Sequence, residues 1–324
     1  MIKLSIILPV YNVEKYIEKC IRSLNNQDIP QNEYEIIAVN DGSTDNSPLL
    51  IQKLKTEFNN IILINKQNGG LSSARNCGLK HANGKYIWFV DSDDYVEANV
   101  LKRLLIELNK NNLDLLSFNI FDIWNKEEEE GFKIDLQPKN IISGEEYIKK
   151  YSIGKSAWFF IVKKDILIYN NIFFTENIIH EDYEFTLKLY QHIKRMAFVP
   201  IRVYNYVHRD GSITTTKTNE QIIKSIHSWQ TIISNELTYF NDDSSYSKYA
   251  QTWINNHKFS GICVLFFNEL TLDVKKKEFK TFKQIGAFDI GKTKLENLKQ
   301  KLICKILQHS WLYYCLMHFF RVKK

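Results

Sequence analysis

Cysteine is scarce in this chain of 324 residues and follows no pairing pattern. The five cysteines (Cys20, Cys77, Cys263, Cys304 and Cys315) are scattered, odd in number and nowhere spaced C-x-x-C. That implies neither a disulfide framework nor a zinc site, and it suits a reducing compartment. Long apolar runs are missing too, since no uninterrupted stretch approaches the ~18 residues of a membrane span. The apolar stretch after Met1-Ile2-Lys3 ends at Pro9. It is too short for a secretory h-region with a cleavage site and reads as a first strand. A cytoplasmic protein is therefore expected. No glycine-rich phosphate loop follows that strand, where a dinucleotide dehydrogenase or a P-loop NTPase would carry one.

What is present suffices for a full core. Hydrophobic residues make up 44% of the chain and charged residues 25%, and the length suggests about two domains. Four β-rich apolar runs, 4–10 (LSIILPV), 34–40 (YEIIAVN), 60–65 (NIILIN) and 86–90 (YIWFV), are bounded by turn residues. Near-continuous apolarity of this kind fits strands buried on both faces of a parallel sheet. Helical periods lie between them. Val13, Tyr16, Ile17, Cys20, Ile21 and Leu24 keep i, i+3, i+4, i+7 spacing after Asn12, a good N-cap, and Leu71–Ala82 and Val96–Asn109 also read as helices. This alternation predicts an α/β, doubly wound domain with a Rossmann-like, mostly parallel sheet. An apolar run over Leu113–Ile123 closes it, and Glu127–Glu130 reads as a solvated acidic loop. Strands are expected over Ala157–Val162 and Phe198–Tyr206, with a helix over Glu181–Ile193 between them. From Asn219 onward the pattern is mainly helical.

In open α/β sheets, ligands bind beyond the carboxyl ends of the strands, and the polar residues of this chain collect there. The first strand ends in Pro9-Val10-Tyr11-Asn12, the second in Asn40-Asp41-Gly42-Ser43-Thr44-Asp45 and the fourth in Asp91-Ser92-Asp93-Asp94. Crowded carboxylates are hard to keep ionised together without a cation. Hard oxygen donors favour Mg²⁺ or Mn²⁺, which commonly bridge a carboxylate to substrate phosphates. A D-x-D taken alone is more often a helix-capping acid with solvated neighbours. Its place after a buried strand, beside two other polar strand ends, favours the metal reading.

Together with Asn68-Gly69-Gly70-Leu71-Ser72-Ser73-Ala74-Arg75-Asn76, His180-Glu181-Asp182 and Tyr206-Val207-His208-Arg209-Asp210-Gly211-Ser212-Ile213-Thr214, these motifs resemble the family 2 inverting glycosyltransferases of GT-A fold. The resemblance is to the type that assembles bacterial polysaccharides and covers about residues 1–215. It implies a nucleotide-sugar-binding α/β domain over 1–125, its acceptor-binding completion over 126–215 and a helical extension over 216–324. It also implies a nucleotide-sugar donor, with UDP the expected nucleotide, a Mn²⁺ or Mg²⁺ ion, and transfer to a hydroxyl of a glycan acceptor. By the same analogy the acceptor is lipid-linked, in capsule, O-antigen or exopolysaccharide assembly.

The family's residue roles carry over position by position. Pro9, Tyr11, Asn12, Asp41, Ser43, Asn68, Gly70, Arg75, Asp91 and Ser92 would line the donor. Tyr11 would pack on the base, Asp41 would accept from its ring N–H, and Arg75 would reach phosphate as a fork of donors. Asp91 would meet the ribose or diphosphate, and Asp93 would ligate the metal. Asp182 would be the general base that takes the acceptor's proton, at the start of a helix whose dipole favours an anion. His208 and Arg209 would complete the metal shell or close over the diphosphate. Many family members have Arg where His208 stands, so for His208 the resemblance leaves metal and phosphate both open. Taken singly, these residues have plainer readings: Tyr11 as a core-edge aromatic, Asp41 as a turn former, Arg75 as a surface ion pair, Asp182 as a capping acid and His208 as structural.

Two other classes compete. A nucleotidyltransferase making nucleotide sugars would more naturally carry a basic, glycine-rich loop after the first strand. A non-catalytic carbohydrate-binding scaffold would tolerate loss of Asp93 or Asp182, and both are present. The net charge of +6 is also uneven: residues 292–324 hold eight Lys/Arg against Glu296 alone, a balance of +7 that leaves the remainder at −1. That distribution speaks against nucleic acid as a partner. Leu295, Leu298, Leu302, Ile306 and Leu307 recur at helical spacing there among lysines, followed by Trp311, Tyr313, Tyr314, Phe319 and Phe320. Such a basic amphipathic segment can lie on an anionic membrane surface or simply pack on the protein. The first reading makes the protein peripheral on the inner face of the plasma membrane.

Overall fold

A computed structural model describes residues 1–124, 127–130, 140–151, 156–208 and 218–289, with backbone alone for 127–130. The elements follow in the order β1 (Leu4–Val10), α1 (Ile17–Asn25), β2 (Tyr34–Asp41), α2 (Ser47–Glu57), β3 (Ile61–Lys66), α3 (Leu71–His81), β4 (Tyr86–Phe89), β5 (Tyr95–Val96), α4 (Leu101–Lys110), β6 (Leu115–Trp124) and β7 (Glu127–Glu130). After these come α5 (Gly144–Lys150), β8 (Phe160–Lys163), α6 (Lys164–Tyr169), α7 (Glu181–Gln191), β9 (Met196–Val207), α8 (Asn219–Tyr239), α9 (Ser245–Phe267) and α10 (Leu272–Gln284). Residues 1–177 and 185–208 form one compact unit, and 178–184 with 218–289 form a second.

The first unit is built on one mixed sheet in the order β3-β2-β1-β4-β8-β6-β9-β5, with β7 paired to β6. β1 and β2 are buried along their whole length, as near-continuous apolar sequences require of central strands. Pairing is parallel from β3 through β4, antiparallel on both sides of β8, and parallel again between β6 and β9. The two reversals at β8 cancel. The carboxyl ends of β1, β2, β3, β4, β6 and β9 therefore share one edge of the sheet. Trp88 of β4 is fully buried, edge-on to Phe118 and Tyr204 at 5.4 and 6.4 Å, and donates its indole N–H to the Trp158 carbonyl at 3.1 Å.

Several elements differ from the expectation. The first helix begins at Ile17, not after Asn12, which has no capping role and sits at φ 51°. Its side-chain oxygen is drawn instead to the loop after β2, where it accepts the Thr44 N–H at 2.8 Å. Val13, Ile17, Cys20, Ile21 and Leu24 still face the core, so the apolar periodicity held although the cap did not. The stretch expected to be helical from Val96 opens with β5, which pairs antiparallel with β9, and the helix starts at Leu101. Residues 157–159 form a short 3₁₀ turn before β8. The acidic run 127–130 is a strand, not a loop: its backbone pairs with Phe121–Trp124 of β6, and a ladder of this kind needs no apolar side chain. Helix α2 carries too few apolar contacts to show in the pattern, with only Ser47, Ile51 and Leu54 buried.

The second unit packs Ile226, Trp229, Ile232 and Ile233 of α8 against Ile262, Leu265 and Phe266 of α9 and Phe282 of α10. α8 opens with a capping box between Thr218 and Gln221, which satisfies two of the helix's otherwise unpaired N–H groups. Gly261 lets α9 approach closely, because a Cβ there would lie 2.8 Å from the Trp229 Cβ and 3.0 Å from the Phe282 ring. Among the described residues no helix is long and apolar enough to cross a membrane. The basic segment 292–324 lies outside the described residues.

Glycine is also needed just before β4, where the chain passes close to the backbone of β1. A Cβ on Gly84 would stand 2.5 Å from the Ser5 amide nitrogen and 2.7 Å from the Leu4 carbonyl carbon of β1. Ser5 Oγ accepts the Gly84 N–H at 2.8 Å and donates to the buried Glu35 carboxylate at 2.6 Å. Gly84→Ala is expected to lower unfolding stability by about 1–3 kcal/mol, measured by urea denaturation.

Candidate active site

The loops after β1 and β2 are stitched together by side chains. Tyr11 stands 52% exposed at the end of β1. The Asn12 N–H donates to Ser43 Oγ at 3.2 Å, and the Ser43 N–H donates to Asn40 Oδ1 at 3.0 Å. Pro9 is buried in β1 opposite Val39. Asp41, only 2% exposed, is the centre of this loop system. Its carboxylate accepts from Lys66 Nζ at 2.6 Å, from the Gly69 N–H at 3.0 Å and from the Gly70 N–H at 2.7 Å. Asn68 donates its side-chain amide to the Asp41 carbonyl at 2.9 Å. Gly70 can offer its N–H because its φ is 86°, a left-handed backbone natural to glycine. Three donors occupy most of the roughly four lone-pair positions of a carboxylate. The first task of Asp41 is thus to shape the loop that leads from β3 into α3.

At the end of β4 the three acids have separate environments. Asp94, 2% exposed, accepts from the Tyr204 hydroxyl at 2.6 Å and from the Val207 N–H at 2.7 Å. Burial, and then the neighbouring Asp93 and Asp91, push its carboxyl well above the usual range. Burial together with Asp94 and Asp91 likewise raises the Tyr204 phenol, whose oxygen also accepts the Asp91 N–H at 3.1 Å. Asp91 itself accepts from Arg75 Nη2 at 2.8 Å. Arg75 is 1% exposed and its guanidinium lies 5.1 Å from the centre of the Phe174 ring. Ser92 is buried, and Asp93 is half-buried.

This donor set suits a hard divalent cation in one specific way. Asp91 pairs with the buried Arg75 and Asp93, two residues on, keeps partial exposure, whereas Asp94 is turned into the protein and is no ligand. Among the described residues no group of three or more His, Cys, Asp or Glu side chains converges as a complete cage. Mg²⁺ and Mn²⁺ sites that use one or two carboxylates draw their remaining ligands from substrate phosphates and water.

His208 ends β9 on the same edge of the sheet. Its Nε2 lies 2.7 Å from Asp122 Oδ1, its ring stacks on Trp124 at 3.5 Å and 8°, and Tyr206 meets it edge-on at 4.6 Å. Arg209 and the rest of that motif lie outside the described residues. Asp182 belongs to the second unit, in the first turn of α7 with Glu181 and Glu184. The structure thus gathers Tyr11, Asn12, Asp41, Ser43, Asn68, Gly70, Arg75, Asp91, Ser92, Asp93 and His208 in one unit, on or beside the carboxyl edge of its sheet.

Lys66 and Tyr204 were not picked out from sequence, and Asp94, read there as part of a cation-holding carboxylate cluster, is instead buried on Tyr204 and Val207. A lysine at the last position of an apolar strand was the available signal for Lys66. Nothing local marks Tyr204 as the partner of an acid 110 positions earlier. One string, Gly286-Ala287-Phe288-Asp289-Ile290-Gly291-Lys292-Thr293, does meet the P-loop spacing. It begins in the turn that ends α10, where Gly286 has φ 71° and donates its N–H to the Lys283 carbonyl. It follows a helix and lacks the strand that a phosphate loop requires; Gly286 is a helix-ending glycine.

Comparison with known proteins agrees with this geometry. Residues 5–167 match the family described as Glycosyl transferase family 2. The minor teichoic acid biosynthesis protein GgaB of Bacillus subtilis is 35% identical over 223 residues, which are 67% of this chain and 24% of GgaB. The poly(ribitol-phosphate) beta-N-acetylglucosaminyltransferase TarS of Staphylococcus aureus is 30% identical over 214 residues, 65% of this chain and 36% of TarS. The match thus spans about a quarter to a third of these relatives' own length. The crystal structure of S. aureus TarS 1–349 with UDP-GlcNAc superposes with a TM-score of 0.76 at 22% identity, over 99% of this chain and 90% of that one. A mannosyltransferase from Pyrobaculum calidifontis, solved with GDP-Man and Mn²⁺, reaches a TM-score of 0.53 at 14% identity, over 99% of this chain and 87% of that one. With a GT-A fold and a family match over half its length, the chain belongs to glycosyltransferase family 2.

Proposed function

We propose that the chain transfers a sugar from a nucleoside-diphosphate sugar, with UDP as the nucleotide, to a hydroxyl of a polymeric glycan acceptor, with inversion at the anomeric carbon. One observation carries this reading. At the carboxyl edge, buried Arg75 is paired with Asp91 beside half-buried Asp93, a positive and negative arrangement suited to a diphosphate and its cation. TarS, solved in complex with UDP-GlcNAc, supports a UDP-sugar donor. The relatives GgaB, a minor teichoic acid biosynthesis protein, and TarS, a poly(ribitol-phosphate) beta-N-acetylglucosaminyltransferase, support a polymeric acceptor.

In this mechanism Tyr11 packs against the base, and the loop organised by Asp41 borders it. Arg75 and Asp91 orient the diphosphate, and Asp93, with His208 as a candidate further ligand, would hold a divalent cation. Bound there, the cation would supply charge neutralisation to the departing nucleoside diphosphate. Asp182 accepts the proton of the acceptor hydroxyl as its oxygen bonds to the anomeric carbon and the bond to the diphosphate breaks. The helix dipole at the start of α7 favours the ionised carboxylate that this role needs. The basic segment 292–324 would bring the enzyme to a membrane surface bearing a lipid-linked acceptor, on the cytoplasmic side.

The test is release of nucleoside diphosphate from a panel of nucleotide sugars with Mn²⁺, Mg²⁺ or EDTA. Slow hydrolysis of one donor is expected, lost in EDTA and reduced about 10²-fold or more in Asp93→Ala and Asp182→Ala. Persistence in EDTA would remove the metal role, and failure of every donor to bind by calorimetry with metal present would remove the enzyme reading. Lys66→Met strips one of three donors from the buried Asp41 carboxylate. It is expected to destabilise the fold by about 1–3 kcal/mol and to weaken UDP binding, read by denaturation and by calorimetry.

A further inference from the structure

Asp182 lies in a short segment, Ile178–Glu184, that belongs to the second unit. The backbone entering α7 there is unusual: His180 takes a left-handed φ of 67°. A non-glycine residue holds that conformation only where its surroundings enforce it. Helix α8 supplies the enforcement. Ser225 and Ser228 stand one turn apart on it, and both are buried. The Ser228 hydroxyl donates to the Lys224 carbonyl at 2.7 Å, which leaves its lone pairs to accept the Ile179 N–H at 3.0 Å. Ser225 Oγ lies 2.9 Å from His180 Nε2.

The residues that flank Asp182 on its other side are held by the same helix. Trp229 stacks on the His180 ring at 4.9 Å and 21°, and Tyr183 packs edge-on against Trp229 and His257 at 5.1 and 5.0 Å. Asn235 donates to the buried Glu184 carboxylate at 3.2 Å. Behind this layer His257 Nδ1 meets Glu236 at 2.8 Å, with both side chains buried, which ties α9 to α8. Burial brings the His180 imidazole down to about 4, so it is neutral at pH 7 and its contact with Ser225 joins two uncharged groups. Serines inside helices often bond only to their own backbone; here both hydroxyls reach a segment 45 and 49 positions earlier.

We propose that Ser225 and Ser228 of α8 are positioning residues for Asp182, fixing the backbone turn at Ile179–His180 so that the carboxylate is presented in one orientation. The inference rests on the reading of Asp182 as the general base. A catalytic group displaced by about 1 Å can cost about 10²-fold in rate, so the effect belongs in kcat and not in donor binding.

The experiment compares wild type, Ser225→Ala/Ser228→Ala, Ser228→Thr and Asp182→Asn. Two measurements are made: UDP release from UDP-N-acetylglucosamine, or from whichever panel donor turns over, and hydrogen exchange of the amides from Ile179 to Tyr183. The double variant is expected to lose about tenfold or more in kcat with donor KM within about twofold. Its 179–183 amides should exchange at least about tenfold faster while those of α9 stay protected, and Ser228→Thr, which keeps the hydroxyl, should retain most of the activity. Wild-type kcat in the double variant beside an inactive Asp182→Asn would overturn the positioning role and leave the transferase reading intact. Unchanged exchange at 179–183 would overturn it whichever donor is used. Full activity in Asp182→Asn would remove the base assignment, and this inference with it. Should the double variant unfold, Ser225→Ala alone, read by the same exchange and kcat, decides between the same outcomes.

Discussion

Three carboxylates crowd the end of β4, and the first unit is arranged around how their repulsion is relieved. Asp94 is taken into the protein, where the Tyr204 hydroxyl and the Val207 N–H hold it. Asp91 is given a buried arginine, and Asp93 keeps partial exposure. The Asp94 contacts reach across β8 and β6 to β9, 110 and 113 positions away in sequence. They lock the turn after β4 to the far side of the sheet. They add to the pairing of β5 with β9, which ties the same turn to the same strand through the backbone.

Burying a charge is costly unless it is paired and hydrogen-bonded, and besides Asp94 this unit buries Arg75 and Asp41 at the rim. Arg75 is 1% exposed and Asp41 is 2% exposed. Each is matched from inside the chain, Arg75 by Asp91 and Asp41 by Lys66 with two backbone N–H groups. An apolar core would be cheaper at both places, so stability alone does not account for them. Their common effect is to set the geometry of the rim before a ligand arrives, which is how electrostatic preorganisation is obtained. Tyr11 and Asp93 keep the exposure that a ligand would need.

Much of this was legible in the sequence, and the failures share a cause. Central strands are buried on both faces, so β1, β2 and β4 announce themselves as apolar runs, and the polar residues just after them mark the edge where ligands bind; β3 reads the same way in sequence but is an edge strand with only Ile61 buried. α2 and β7 are held chiefly by backbone bonds and a few contacts, which leave no periodic trace, and so they were missed or misread. Asn12 has the composition of a helix cap but is claimed by Thr44 from the next loop. Asp41 was read as a group that faces a ligand, whereas most of its bonding capacity is spent inside the loop system. In each case a long-range partner outweighed a local preference, and a long-range partner cannot be read from spacing.

The motif-free helices of the second unit extend that point. Residues 218–289 carry no recognisable chemistry, yet α8 holds His180 with Ser225 and Trp229, and the neighbouring Ile179 and Glu184 with Ser228 and Asn235. A serine on the apolar side of a helix resembles a small packing residue in sequence, and only its partner distinguishes a filler from a clamp. His180 shows why a clamp is wanted. Its left-handed backbone turns the chain into α7, and a β-carbon makes that turn unfavourable in isolation. Glycine would have relieved the strain but would also have left the turn free to move. A histidine held by stacking and a hydroxyl fixes the turn instead, which is the arrangement expected where the next residues must point one way.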